Sequence, residues 1–172
     1  KRVRGPYVNC ETHRFHTLAE FFALSAASER DYEYTVAWID CAARGSSLGR
    51  GHFIRANHAP ALDGPARPRR RFAVPFTPPI SLVNGLSLRV FNAAYFHRQR
   101  RPVAHGLTHY EPYFYPLDAV GDWNRLYGPR GFLQYQCVVP PQDSEKAVAE
   151  LLQRIAASGS GSFLAVLKVF GA

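Results

Sequence analysis

The chain has 172 residues, 47% of them hydrophobic and 20% charged, which is enough for one sizeable core and requires no second domain. It has no run of the roughly 18 apolar residues that a membrane helix needs, and its opening KRVRGPY carries no apolar signal-peptide stretch. The net charge of +8 comes almost wholly from Arg, since Lys occurs only at Lys1, Lys146 and Lys168.

The clusters Arg67, Arg69, Arg70, Arg71 and Arg98, Arg100, Arg101 could meet phosphates, lipid head groups or nucleic acid, or form a solvated surface. Cys10, Cys41 and Cys137 are too few and too scattered for a metal cluster, and their odd number argues against a disulfide framework. A cytoplasmic setting is expected. The absence of Met and the start at Lys1 lead us to expect a piece of a longer protein.

In chain order, residues 7–15 read as a strand. Thr17-Leu18-Ala19-Glu20 is a capping box that opens a helix over 18–27. Residues 34–40 (YTVAWID) are β-branched and aromatic and form a second strand, which the glycines at 45 and 49 end by permitting a turn. Residues 51–58 add a strand. The Pro- and Arg-rich 59–79 has no period and is expected to be a loop that acts as a lid. A helix over 82–96 is weakened by Asn84 and Gly85, and 118–127 reads as a short helix.

Residues 133–139 read as a strand in which Leu133, Tyr135 and Cys137 share one face and Gln134, Gln136 and Val138 the other. Two amides on one face suggest a polar site, because burying them without partners is costly. After Pro140-Pro141, the residues Val148, Leu151, Leu152 and Ile155 form the stripe of an amphipathic helix over 143–158 that stops at Gly159. Residues 163–170 form the last strand, on which Leu164, Val166, Lys168 and Phe170 share a face.

The order β-α-β, a long insertion over 41–130, then β-α-β implies an α+β, ferredoxin-like antiparallel sheet with both helices on one face. The other face would be free for a ligand. Lys168, Phe170, Gln134, Gln136 and Trp38 would then give it an apolar wall with a few fixed polar groups.

Three further signals are weaker. Residues 45–51 are glycine-rich but lack the Gly-Lys-Ser/Thr ending of a phosphate loop. His13 and His16 have no acid or Cys cluster beside them to complete a metal site. Asp118 and Asp122, spaced i, i+4, suit capping and surface roles better than acid catalysis.

The runs YPLDAVGDWNRLYGPRGFLQYQCVVP, TVAWIDCAARGSSLGRGHFIRANH and GSFLAVLKVFG resemble the FAD-linked oxidoreductases of the vanillyl-alcohol-oxidase superfamily, in the branch that oxidises polyprenyl-phosphoryl pentoses. The similarity covers nearly the whole chain. It implies that residues 1–172 are a partial substrate-binding domain and that FAD is bound mainly by a domain of the same parent absent from this chain.

It further implies that Trp38, Leu117, Gln134, Gln136, Leu164, Val166, Lys168 and Phe170 line the substrate and flavin pocket, with no catalytic residue or metal ligand assigned within the chain. One departure is Phe114, where the family carries a tyrosine. The implied partner is a sugar or polyprenyl-phosphoryl sugar, with room for peripheral membrane contact, and the fragment alone should be inactive. A rival is a basic RNA-recognition-like or protein-interaction module, because Arg130-Gly131-Phe132 resembles an RNA-binding signature. Gln134 falls where that signature needs a stacking aromatic, so no nucleic-acid partner is expected.

Overall fold

The computed structural model describes residues 5–60 and 72–170. Strand β1 (Tyr7–Phe15) leads into helix α1 (Leu18–Ser28), followed by β2 (Tyr34–Ile39) and β3 (Gly51–His58). A short β4 (Phe72–Ala73) precedes α2 (Gly85–His97), β5 (Val103–His109), α3 (Tyr110–Phe114) and β6 (Val120–Gly121). The chain closes with α4 (Ser144–Ser158) and β7 (Ala165–Leu167).

The main sheet has the order β5-β1-β3-β2-β7, and every neighbouring pair is antiparallel. Strands β1 and β2, joined by α1, therefore run in the same direction with β3 between them. A second, two-stranded sheet pairs β4 with β6 in parallel.

The first helix starts where its capping signal lies, with a shifted box. The Thr17 hydroxyl accepts from the Glu20 N–H at 3.2 Å, and the Glu20 carboxylate accepts from the His16 N–H at 2.8 Å. Helix α2 shows why Asn84 and Gly85 mislead when read as breakers. Asn84 is the N-cap: its side-chain oxygen accepts from the N–H groups of Leu86 and Ser87, while the Ser87 hydroxyl accepts from the Asn84 N–H. Helix α4 buries Val148, Leu152 and Ala156 and stops at Gly159, whose φ of +72° is open to glycine at little cost.

Phe15, Ala37, Ile39 and Phe53 project from one face of the sheet into a cluster with Leu18 and Phe21 of α1 and Val148 and Leu152 of α4. Helices α1 and α4 thus share a face, as expected. Each fully buried Phe or Leu in this cluster contributes roughly 1.5–3 kcal/mol by leaving water.

Three expectations are corrected. Residues 133–139 have strand composition but join no sheet and lie almost wholly exposed, so they are not the third core strand. Part of the stretch 41–130, read as an insertion, is sheet: β3 occupies its centre and β5 its far edge. Finally, α2 packs on the face opposite α1 and α4. Trp38 and His52 face each other across β2 and β3, one residue out of phase with Ala37 and Phe53, and they meet Tyr95 and Phe96 of α2. Helices therefore cover parts of both faces, and the simple two-helices-on-one-face arrangement does not hold.

Candidate functional site

The face opposite α1 and α4 carries Val8, Cys10, Thr12 and Arg14 of β1, Tyr34, Val36 and Trp38 of β2, and the even-numbered residues of β3. One end lies under α2. Trp38 is only 6% exposed; its indole N–H donates to the Phe163 carbonyl at 2.8 Å, and its ring lies 4.5 Å from that of Tyr95. His52 Nε2 hydrogen-bonds the Phe96 carbonyl at 3.1 Å, and the two rings are stacked 5.7 Å apart. Burial, aided by the charges of Arg98 and Arg14 and opposed by that carbonyl, pushes His52 down to about 4, so it is a neutral donor near pH 7.

Asp40, at the end of β2, is buried and holds this corner together. Its Oδ2 accepts from Arg50 at 2.7 and 3.0 Å, and its Oδ1 accepts from Asn92 of α2 at 3.1 Å and from the Ala42 N–H at 3.2 Å. A bidentate guanidinium with an added amide is the geometry that makes a buried carboxylate tolerable.

The other end lies under α3. Tyr34 Oη and His58 Nε2 are 3.0 Å apart, Phe114 sits edge-on to the Tyr34 ring at 5.0 Å, and the Tyr113 hydroxyl donates to the Tyr34 carbonyl at 3.4 Å. Burial raises Tyr113 above its ordinary value. Between the two covers, Thr12, Val36 and Ile54 are half-buried and Val166 is 45% exposed, which leaves an apolar floor.

The structure brings some of the expected site residues together. Trp38 pairs with Val166 across β2 and β7, on one face, and Leu164 shares its parity. Leu117 is half-buried in the single turn Pro116–Ala119. Lys168 and Phe170 follow β7 and are exposed, while Gln134 and Gln136 stand exposed in the unpaired segment, apart from the sheet. Tyr95, His52 and the Tyr34–His58 pair lie on this same face and were not among the expected site residues. Tyr34 does share the Trp38 face by alternation, whereas nothing local in α2 indicates which strand Tyr95 will meet.

Other signals resolve in structural terms. His13 pairs with Glu11 at 3.3 Å, and His16 sits edge-on to Phe96. Asp122 pairs with Arg125 at 3.3 Å, while the Asp118 side chain lies outside what the structure describes. Residues 61–71, the middle of the expected lid, lie outside the described residues, as do the arginines from 67 to 71. Among the described residues no group of His, Cys, Asp and Glu is placed to hold a metal, and no helix is long and apolar enough to cross a membrane. The RNA-platform reading finds no support, because Arg130-Gly131-Phe132 leads into an unpaired segment instead of a sheet strand.

No family model matches the chain. It is 33% identical over 171 residues to the decaprenylphosphoryl-beta-D-ribose oxidase of Mycolicibacterium smegmatis, an alignment that covers 94% of this chain and 35% of that protein. The resemblance read from the motifs is thereby borne out, and the chain is a homologue of about a third of that oxidase.

Proposed function

We propose that the chain is the substrate-binding portion of an FAD-dependent oxidoreductase that oxidises a sugar-alcohol carbon of a polyprenyl-phosphoryl pentose. The observation that carries this reading is the similarity to the oxidase along 94% of the chain.

The side chains present suit a flavin and a sugar. Leu164, Val166 and Phe170 are 39%, 45% and 70% exposed, an apolar surface open to a flat ring, and Lys168 beside them offers an ammonium donor. The bound flavin would supply hydride acceptance. This chain's residues would hold and orient the sugar: Lys168, Gln134 and Gln136 as donors to its oxygens, with Val166 as an apolar wall and the buried Trp38 supporting it from beneath. The groups that bind the rest of the flavin would come from the remainder of the parent, so the chain alone would be inactive.

The test is turnover in the complete enzyme on its polyprenyl-phosphoryl pentose. Lys168→Ala and Gln136→Ala each remove a donor from the proposed pocket, and urea unfolding of each variant checks that any loss of turnover is not a loss of fold. A hydrogen bond to a charged group that is made in the transition state is worth about 1.5–3 kcal/mol, so kcat/KM should fall roughly ten- to hundredfold. Unchanged kcat/KM in both variants would refute the pocket assignment.

A further inference from the structure

Strand β7 carries Val166, with Leu164 just before it and Lys168 just after, yet its own sequence does not say which face these residues take. On a half-buried strand the register is set by one apolar and one polar face, and a slip of one residue sends every side chain to the other side. Here both faces are apolar up to Leu167, with Leu164 and Val166 on one and Ala165 and Leu167 on the other. The ladder is also short: Ala37 pairs with Leu167, Trp38 with Val166 and Ile39 with Ala165. The loop that feeds it contains Gly159 and Gly161, which permit many backbone paths.

Side chains fixed elsewhere in the fold meet the two residues that precede Leu164. The Trp38 indole N–H donates to the Phe163 carbonyl at 2.8 Å. The Cys41 thiol donates to the Ser162 carbonyl at 3.3 Å, and its sulfur accepts from the Ser162 N–H at 3.2 Å. Asn92 of α2 donates to the same Ser162 carbonyl at 3.4 Å, and the Phe91 ring lies 4.9 Å from that of Phe163. A Cβ at Gly161 would come within 3.1 Å of the Cys41 sulfur, so the chain passes directly against it. Trp38 and Cys41 are both buried, one within β2 and one just past its end. A shift of β7 along β2 would strip these buried groups of their partners, which costs more than an ordinary hydrogen bond contributes.

We propose that Trp38 and Cys41 are positioning residues: by holding Ser162 and Phe163 they fix the register of β7 on β2, and thereby set Lys168 on the face of Val166. The role of Lys168 rests on the oxidase reading above, whereas the register does not.

The first test is hydrogen exchange in the 172-residue chain. Trp38→Phe keeps a ring against Tyr95 but removes the N–H, and Cys41→Val keeps the bulk but removes the thiol. Each should speed exchange of the β7 amides about fivefold per hydrogen bond lost, beyond any change in the amides of β1 and β3, which report general stability. Cys41→Ser keeps a donor and an acceptor and should restore most of the protection.

The second test is turnover in the complete enzyme. Trp38→Phe should lower kcat/KM in the otherwise unmodified enzyme, yet add little to the loss already caused by Lys168→Ala, because residues that act through one another are not additive. Exchange in β7 that follows β1 and β3 in every variant would overturn the fixing of the register. Fully additive losses of turnover would overturn the positioning of Lys168. The exchange test needs neither flavin nor substrate, so its failure is distinct from failure of the oxidase reading, which Lys168→Ala alone tests.

Discussion

His52 and Glu11 both make the fold sensitive to acid, in different pH windows. His52 ordinarily titrates at 6.5 and sits at about 4 when folded, so between those values the unfolded chain binds the proton more readily. Its contribution is fully present above pH 6.5 and is lost as pH falls toward 4. Glu11 is partly buried, which alone would raise it, but hydrogen bonds from Arg55, Tyr32 and His13 outweigh this and hold it near 2 against an ordinary 4.5. Its contribution is present above pH 4.5 and is lost as pH falls through 2. Denaturant midpoints recorded from pH 7 downward should therefore decline in two stages. His52→Gln, which keeps a donor for the Phe96 carbonyl, should flatten the first stage only, and Glu11→Gln the second only.

Helix α2 is held at two places that mutation can separate. Asn84→Ala removes the cap and should cost about 1 kcal/mol in urea unfolding. Arg50→Ala acts on the tertiary anchor: it leaves the buried Asp40 carboxylate with Asn92 and the Ala42 N–H but without its countercharge. Removing one partner of a buried ion pair typically costs about 3–5 kcal/mol, so this variant should be the less stable of the two by a clear margin. A smaller loss than for Asn84→Ala would show that the Asp40 corner is not what seats α2. The segment 131–140 is the contrasting element. Leu133 is 99%, Tyr135 74% and Val138 76% exposed, although aromatic Tyr135 and β-branched Val138 favour a pleated, half-buried surface.

At the scale of the whole molecule, that segment has strand composition but pairs with no strand among the described residues. The chain spans 35% of the length of the oxidase it matches, and β7 pairs with β2 over three residues, with no strand on its other edge among the described residues. Hydrogen exchange should find the amides of residues 133–139 unprotected in the 172-residue chain. In the larger parent enzyme proposed above they should be strongly slowed, because a paired strand shields its N–H groups. Equal exchange in both settings would contradict a strand role for Gln134 and Gln136.

What the sequence determined by itself was local. The bounds of β1, β2 and β3, the starts of α1 and α4 and the stop at Gly159 rest on alternation, caps and one glycine, all of which act over a few residues. Its motif runs also pointed to the oxidase relative. Strand β5 was not legible, because Val103-Ala104-His105-Gly106 has neither clean alternation nor β-branched density, and only the hydrogen bonds offered by β1 make it a strand. The failure of 133–139 has the same cause in reverse, since composition favours a strand but a strand exists only when a neighbour accepts its ladder. The side of the sheet that α2 covers was decided by the tertiary structure alone. Burying Asn92 against Asp40 and stacking Phe96 on His52 join residues 52 and 44 positions apart, a distance over which no local pattern carries information.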